Sequence, residues 1–207
     1  MIILPERITF KRYLKLCRPT RSLLRDLMHE RLKKIIIKGS CLDVGGGKLV
    51  DYRNIVTYLE EPESINFDPA IKSTHLHDLN YAMPFQDETY DNVTCFNTLE
   101  HLFEDDLALL EIFRIVKKGG KIYIFIPFLY RVHGSPDDYH RHTADEWSRK
   151  IKNLSVSDDQ FTVEPIVWDV YSTGYSFFET IIPFVNIFLR PLFLLPGLLH
   201  SKLLFKN

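Results

Sequence analysis

A short apolar run that ends in three glycines is the first pattern in this sequence that could bind a ligand. Cys41–Val44 contains one acid, Asp43, and Gly45, Gly46 and Gly47 follow directly. Such a run is typical of a buried strand, and the glycines allow a sharp turn and a close approach of a ligand to the backbone. A nucleotide-like cofactor often binds at such a turn in an α/β sheet. An ordinary strand-to-turn junction is the alternative that these seven residues leave open.

Polar residues also follow the next predicted strands. Asp68 lies 21 residues after Gly47 at the end of a strand over 64–67, where an acid can accept hydrogen bonds from both hydroxyls of a ribose. A turn formed by Asp-Pro is the alternative. The candidate cofactor-binding residues at these strand ends are Asp68 and Pro69 after 64–67, Asp78 and Leu79 after 74–77, and Asn97 and Thr98 after 90–96.

A long polar and aromatic loop, residues 128–142, follows a fifth predicted strand and contains three histidines. Histidine is the commonest proton acceptor near neutral pH. We expect His133 to be the catalytic base, with Asp137 or Asp138 to orient it and His101, at the end of the fourth strand, as a further catalytic candidate. The alternative is that these side chains hold the loop by hydrogen bonds. We expect no metal site from His133, His140, His142 and Asp137, because their spacing is not a familiar ligand spacing.

Predicted strands alternate with predicted helices, which indicates a doubly wound, mostly parallel sheet. Ligands bind such sheets outside the carboxyl ends of the strands, where all the candidate residues lie. We expect strands over 40–44, 64–67, 74–77, 90–96 and 121–127, helices over 20–37, 51–60 and 104–118, a glycine stop at 119–120, a helix opened by a capping box at 143–146, and one or two strands within 161–175.

Composition limits the class of protein. The 207 residues are enough for one domain with a substantial core. Three cysteines without a C-x-x-C pattern favour a reducing compartment, so we expect a cytoplasmic location. The apolar start, Met1–Leu4, is shorter than a signal peptide.

The two ends of the chain differ from its middle. Residues 1–40 contain eleven Lys or Arg and three Asp or Glu, whereas residues 181–199 contain no acid and are mostly Ile, Leu, Phe and Val. We therefore divide the chain into a basic helical arm (1–39), a cofactor-binding domain (40–176) and an apolar helical tail (177–207). Arg190 and three prolines argue against a membrane-spanning helix in 181–199. A tail on the inner face of a membrane, packing on its own domain and a homodimer contact remain alternatives.

Taken together, the motifs resemble those of the class I S-adenosylmethionine (SAM)-dependent methyltransferases, in particular the type-11 subgroup. The resemblance extends over about residues 40–145. One departure is Leu49, which stands where the family usually has a third glycine. The motifs are Asp43–Gly47 (D-x-G-x-G), Asn66–Asp68, His77–Asn80 with Met83–Phe85 and Asp87, Tyr90–Val93 with Leu99–His101, and Arg114–Gly120.

The resemblance implies SAM as the cofactor. The glycine loop would lie against its methionine end, Asp68 would bind the ribose, Asp78 the adenine amino group, and Asn97 would lie near the transferred methyl group. The loop at 133–143 resembles a segment of type-11 members that often accompany sugar and cell-envelope biosynthesis, with His142 in place of the usual aromatic residue.

We therefore expect O-methylation of a hydroxyl on a sugar, glycan or lipid-linked envelope precursor. Methylation of a soluble metabolite or quinone precursor, and a non-catalytic SAM-binding partner subunit, are the alternatives. The glycine spacing excludes an NAD-dependent oxidoreductase, because position 50 is Val50. A nucleic acid partner is not expected, since no Asn-Pro-Pro-Tyr-like motif follows the fourth strand.

Overall fold

Five parallel strands form the central sheet, in the order His75–Leu76, Glu63–Asn66, Cys41–Val44, Tyr90–Phe96 and Val116–Phe125. The computed structural model describes residues 9–17, 22–130, 132–134, 136–166, 174–175 and 188–196. The parallel, doubly wound fold predicted from the sequence is confirmed. The strands are β1 (Ile36–Ile37), β2 (Cys41–Val44), β3 (Thr57–Tyr58), β4 (Glu63–Asn66), β5 (His75–Leu76), β6 (Tyr90–Phe96) and β7 (Val116–Phe125), and the helices are α1 (Phe10–Leu16), α2 (Leu23–Leu32), α3 (Asp105–Ile115) and α4 (Ala144–Asn153).

The central strands are buried because helices cover a sheet of this kind. Every residue of β2 is buried, and β6 has the bounds predicted from its apolar pattern. In α3, Ala108, Leu109, Ile112 and Ile115 are buried at helical spacing, so the apolar face of this helix belongs to the core.

The predicted helix over 104–118 is too long, and its glycine stop is wrong. The helix ends at Ile115, because Val116 already pairs with Tyr90 and β7 begins there. The register then shifts, so that Asn92 pairs with Lys121. Gly119 has a φ of +78° within the extra residues. These glycines therefore serve an irregularity in the strand rather than a helix end.

Two further helix predictions are wrong, one in its extent and one altogether. The helix predicted over 20–37 is shorter, because Ile36 and Ile37 form β1 and pair with Thr57 and Tyr58 of β3. β-Branched residues favour strands over helices. The same pairing excludes the helix predicted over 51–60, where turns lead into β3.

By its contacts the chain divides into two units. The sheet unit consists of Arg31–Phe128 and Val132–His142, and the helical unit takes Met1–Glu30, Leu129–Arg131 and Thr143–Asn207. In the helical unit, α4 begins with the predicted cap, since the Thr143 hydroxyl accepts a hydrogen bond from Glu146 N at 3.2 Å. Of the strands predicted within 161–175, residues 167–173 lie outside the described part, and residue 163 forms an isolated bridge.

Part of the apolar tail belongs to the core of the helical unit. Residues 188–196 are helical, and Leu194 packs with Leu16, Leu23, Leu27 and Tyr175. Arg190 is fully buried, and its guanidinium binds the Asp26 carboxylate at 2.6 Å. Among the described residues, no helix has the length and apolar character needed to cross a bilayer. The remainder of 181–199 lies outside the described residues.

Candidate functional site

The glycine loop after β2 is held by the neighbouring strand. Gly45 N donates a hydrogen bond to Ile65 O at 2.8 Å, and the Asn66 amide donates to Gly45 O at 2.6 Å. Gly45 has a φ of +77°, and a Cβ there would overlap the side chain of Thr98. Glycine is therefore required at position 45 by the backbone conformation and by contacts within the protein.

The other two glycines are also crowded by the protein itself. A Cβ on Gly46 would overlap the Asp43 carboxylate, and one on Gly47 would lie 2.5 Å from Ile71 O. The expectation that all three glycines serve the approach of a ligand is therefore corrected at these two positions. They close the loop tightly over β2 and over the turn after β4.

Asp43 stabilises the glycine loop from the interior of the protein. Its side chain is fully buried and accepts hydrogen bonds from Thr94 Oγ1 at 2.8 Å and from the Tyr52 hydroxyl at 3.2 Å. Burial raises the pKa of this carboxyl to about 7, and the two hydroxyls oppose that shift. As a correction to its prediction as a cofactor-binding residue, the Asp43 carboxylate faces the interior and positions the loop.

Asp68 lies just beyond the end of β4 and is half-buried. It caps a 3₁₀ turn over Pro69–Ile71, in which its Oδ1 accepts a hydrogen bond from Ala70 N at 2.8 Å. Asn66 Oδ1 accepts from Asp68 N at 3.0 Å. Asp68 thus forms the Asp-Pro turn and is also an acid at a strand end. Its carboxylate can accept further hydrogen bonds.

The residues after β5 differ in exposure. Asp78 is exposed, and its Oδ1 accepts hydrogen bonds from the backbone and side-chain nitrogens of Asn80, both at 2.9 Å. Leu79 is buried. Asp78 can therefore meet a ligand with its side chain, whereas Leu79 packs in the core.

The chain leaves β6 in a left-handed turn. Asn97 has a φ of +51°, a conformation that asparagine tolerates better than most residues, and its N–H donates to Phe125 O at 2.8 Å. Thr98 is buried, and its hydroxyl donates to Phe96 O at 3.2 Å. Thr98 therefore packs against Gly45 and fixes the turn.

The glycine loop, Asp68 and Asn97 lie at the same edge of the sheet. Val44 pairs with Ile65 on one side and with Cys95 on the other, so β2, β4 and β6 end side by side. A carboxylate one strand away from a glycine turn fits the ribose and methionine ends of SAM. The described residues therefore fit the cofactor that the motifs imply.

The loop over 132–142 packs on the segment that follows β6. Tyr139 N and His140 N donate to Glu100 O at 2.8 and 3.2 Å, and His101 Nδ1 lies 2.6 Å from Asp137 O. His142 Nε2 lies 2.7 Å from the Asp105 carboxylate. The histidines at 140 and 142 thus hold the loop in place, which was one of the two alternatives for this loop.

His133 lies at the inner side of this loop. Its backbone N–H donates to Asp138 Oδ2 at 2.8 Å, and its Nδ1 is 3.4 Å from the same oxygen. Arg141 binds the Asp138 carboxylate with both terminal nitrogens, one of which lies 3.2 Å from His133 Nδ1. Burial, together with the neighbouring His101, lowers the pKa of His133, which favours the neutral form of the ring.

Of the two acids considered for orienting His133, Asp138 makes the contact. The Asp137 carboxylate instead accepts a hydrogen bond from the Tyr139 hydroxyl at 3.1 Å. Asp137 instead contacts His101 through its backbone carbonyl oxygen. This corrects the role proposed for the Asp137 side chain.

Glu100 is the acid that the sequence patterns do not single out. Its side chain is fully buried, and neither carboxylate oxygen accepts a hydrogen bond from any described residue. Burial raises the pKa of Glu100 to about 7. His101 Nε2 lies 3.7 Å from Glu100 Oε1, and the rings of His101 and His133 are 4.9 Å apart. The sequence signal for Glu100 is its place in the Leu99–His101 motif.

A family model described as a methyltransferase domain, of type 11, matches residues 59–124. The ubiquinone/menaquinone biosynthesis C-methyltransferase UbiE of Xylella fastidiosa is 34% identical over 85 residues, which are 41% of this chain and 28% of that protein. A demethylmenaquinone methyltransferase of Streptomyces griseus is 40% identical over 42 residues, 20% of this chain and 18% of that protein. The chain thus spans less than a third of either relative.

Solved structures agree with the fold. One chain of the complex between the Haloferax volcanii Trm112 methyltransferase activator and its methyltransferase partner superposes with a TM-score of 0.50 at 17% identity. The match covers 81% of this chain and 91% of that chain. Residues 59–124 are thus similar to a type-11 methyltransferase domain, and the parallel sheet of this chain agrees with such a fold.

Proposed function

We propose that this protein transfers a methyl group from SAM to a hydroxyl oxygen of a sugar, glycan or lipid-linked precursor. The observation that supports this proposal is that residues for the cofactor and residues for the acceptor lie at the ends of neighbouring strands. The glycine loop and Asp68 lie at the ends of β2 and β4, and Glu100 and His101 follow the end of β6.

The cofactor side uses the residues around the glycine loop. SAM supplies a methyl group on a positively charged sulfur. Asp68 accepts hydrogen bonds from the ribose, Asp78 accepts one from the adenine amino group, and the turn at Asn97 borders the reacting methyl group. These roles follow the family motifs and are supported by the strand-end positions of the three residues.

The acceptor side uses His101 and His133. An attacking hydroxyl must lose its proton as the new carbon–oxygen bond forms, and a positioned imidazole is suited to assist this step. The neutral state of His133 supports such a role, since a protonated ring has no lone pair to offer.

Transfer of the labelled methyl group of SAM tests the proposal directly. Purified full-length protein is incubated with labelled SAM and either a polar lipid and glycan extract or synthetic quinone precursors. We expect label in a product with an O-methyl ether. SAM binding without transfer to any acceptor would instead favour the non-catalytic partner subunit.

C-methylation of a quinone precursor is the second candidate. The 34% identity with the Xylella fastidiosa enzyme over 85 residues favours it. In that case the label enters a carbon–methyl bond of the quinone precursor, which survives acid treatment that cleaves activated ethers. Label there alone would overturn the O-methylation proposal.

We also propose that the helical unit lies on the inner face of a membrane with anionic lipids. Phe188, Leu192 and Leu195 are exposed along one face of the helix over 188–196, and Phe10 and Leu14 are exposed on α1. The excess of Lys and Arg in residues 1–40 complements an anionic surface. A large exposed apolar patch marks either a membrane or a protein contact.

Co-sedimentation with vesicles that contain phosphatidylglycerol distinguishes these partners. We expect full-length protein to sediment with the vesicles, and the Phe188→Ser, Leu192→Ser variant to remain in the supernatant. Leu76→Ser, which changes an equally exposed leucine of the sheet unit, should sediment like the wild type. A dimer that dissociates in the first variant, without vesicle binding by the wild type, would assign the face to a second copy of the chain.

A further inference from the structure

We propose that Phe103, Tyr139 and Asp137 form a subsite that binds one sugar ring of the acceptor, beside His101. The assignment of this sugar to the acceptor rests on the proposed function. Phe103 is 65% exposed and Tyr139 is 47% exposed, and their rings meet edge to face with centroids 5.6 Å apart and planes at 76°. The two residues lie in the segments that follow β6 and β7, at the carboxyl ends of these strands.

Hydrogen bonds to the backbone hold the two segments together. Tyr139 N donates to Glu100 O at 2.8 Å. His140 Nε2 lies 3.3 Å from Phe103 O, and because a carbonyl oxygen only accepts, this nitrogen carries the hydrogen and donates. Groups that are already held in place lose less conformational freedom when a ligand binds. The exposed aromatic pair is therefore suited to be a binding surface.

Asp137 places a charged acceptor of hydrogen bonds beside the rings. Its side chain is exposed, and Oδ2 accepts a hydrogen bond from the Tyr139 hydroxyl at 3.1 Å. A carboxylate offers about four acceptor positions, so this contact leaves capacity for hydroxyl groups of a ligand. Aromatic side chains with a few placed polar groups are typical of small-molecule sites.

A pyranose ring matches both parts of this surface. Its C–H groups form an apolar face that can pack on an aromatic ring, since the face of such a ring carries partial negative charge. Its hydroxyls donate hydrogen bonds, and those to a carboxylate are strengthened by charge. An oxidised quinone fits less well, because its carbonyl oxygens only accept and would face a carboxylate that also only accepts.

The surface borders the histidines that the proposed function assigns to the acceptor. The Asp137 backbone carbonyl oxygen lies 2.6 Å from His101 Nδ1, and the rings of His101 and His133 are 4.9 Å apart. Phe103 follows His101 closely in the chain. A sugar ring on Phe103 and Tyr139 thus places its own hydroxyls, or those of an adjoining sugar, on the side of these histidines.

Saturation-transfer difference NMR on the full-length protein tests the subsite without SAM. The probes are the methyl glycosides of glucose, galactose, mannose, rhamnose and N-acetylglucosamine. We expect at least one of them to receive saturation at its ring C–H protons. Asp137→Ala should weaken its binding at least ~10-fold, the scale of a lost hydrogen bond to a charged group, and Phe103→Ala should remove the saturation of the ring protons. Phe10→Ala, which removes a similarly exposed ring (62%) from α1, should bind like the wild type.

Three outcomes would overturn the proposal. The folded wild type could bind none of the glycosides, Phe103→Ala and Asp137→Ala could both bind like the wild type, or Phe103→Ala could lose binding of 1,4-naphthoquinone or its quinol while no glycoside binds. Proton–nitrogen correlation spectra confirm the fold of each variant, and Tyr139→Ala replaces Phe103→Ala if the latter does not fold. Because the measurement requires no methyl transfer, glycoside binding by a protein without transferase activity would refute only the proposed function.

Discussion

His133→Ala is expected to lower the turnover number by ~10²–10⁴ while leaving the affinity for SAM unchanged. The ring lies on the loop that packs against the segment after β6, close to His101 and Glu100. We propose that it acts on the acceptor hydroxyl rather than on the glycine loop or Asp68. Single-turnover kinetics with labelled SAM measure the rate, and calorimetry measures the affinity.

His140→Ala is the matched control for this prediction. It removes a ring from the same loop, whose Nε2 lies 3.3 Å from Phe103 O, and thus tests the effect of loosening the loop. We expect a much smaller loss of turnover. Equal losses in the two variants would mean that both histidines hold the loop, and unchanged turnover in His133→Ala would remove its catalytic role.

Asp26→Ala is expected to destabilise the helical unit by about 3–5 kcal/mol, the usual cost of removing one member of a buried ion pair. Arg190 is fully buried and lies 2.6 Å from Asp26, whose side chain is 18% exposed. The variant keeps the guanidinium in the interior but removes the carboxylate. Urea denaturation followed by circular dichroism measures the change in unfolding free energy.

Replacing both partners separates the contribution of the ion pair to stability from the contribution of side-chain packing. In the double variant Asp26→Leu, Arg190→Met, apolar side chains fill the same space, and such replacements are often close to neutral. We expect stability much nearer to that of the wild type. A single Asp26→Ala variant with wild-type stability would show that the tail helix does not depend on this contact.

The sequence predicts the sheet well because its strands are set by local patterns. The apolar run at Tyr90–Phe96 has the predicted bounds, and β2 is buried throughout. The helix ends are predicted less well, because they depend on partners distant in the chain. Val116 leaves α3 to pair with Tyr90, and Ile36 and Ile37 leave the predicted helix to pair with β3.

In the candidate site, residues at strand ends could be predicted from the sequence, whereas contacts between distant residues could not. The strand-end acids Asp68 and Asp78 are recognisable from spacing alone. The unsatisfied state of Glu100 is not, because it depends on what surrounds the carboxylate after folding. For the same reason the sequence does not decide between Asp137 and Asp138 as the partner of His133, or show that Asp43 faces Thr94 and Tyr52.

Calorimetric titration of the folded, full-length protein with SAM tests the central claim most directly. We expect one equivalent to bind, and Asp68→Ala to weaken binding by about 1–3 kcal/mol, the scale of a lost hydrogen bond to a charged group. Glu61→Ala, which removes an exposed carboxylate before β4, should bind like the wild type. Absence of SAM binding by the folded wild-type protein would contradict the assignment of this chain as a SAM-dependent methyltransferase.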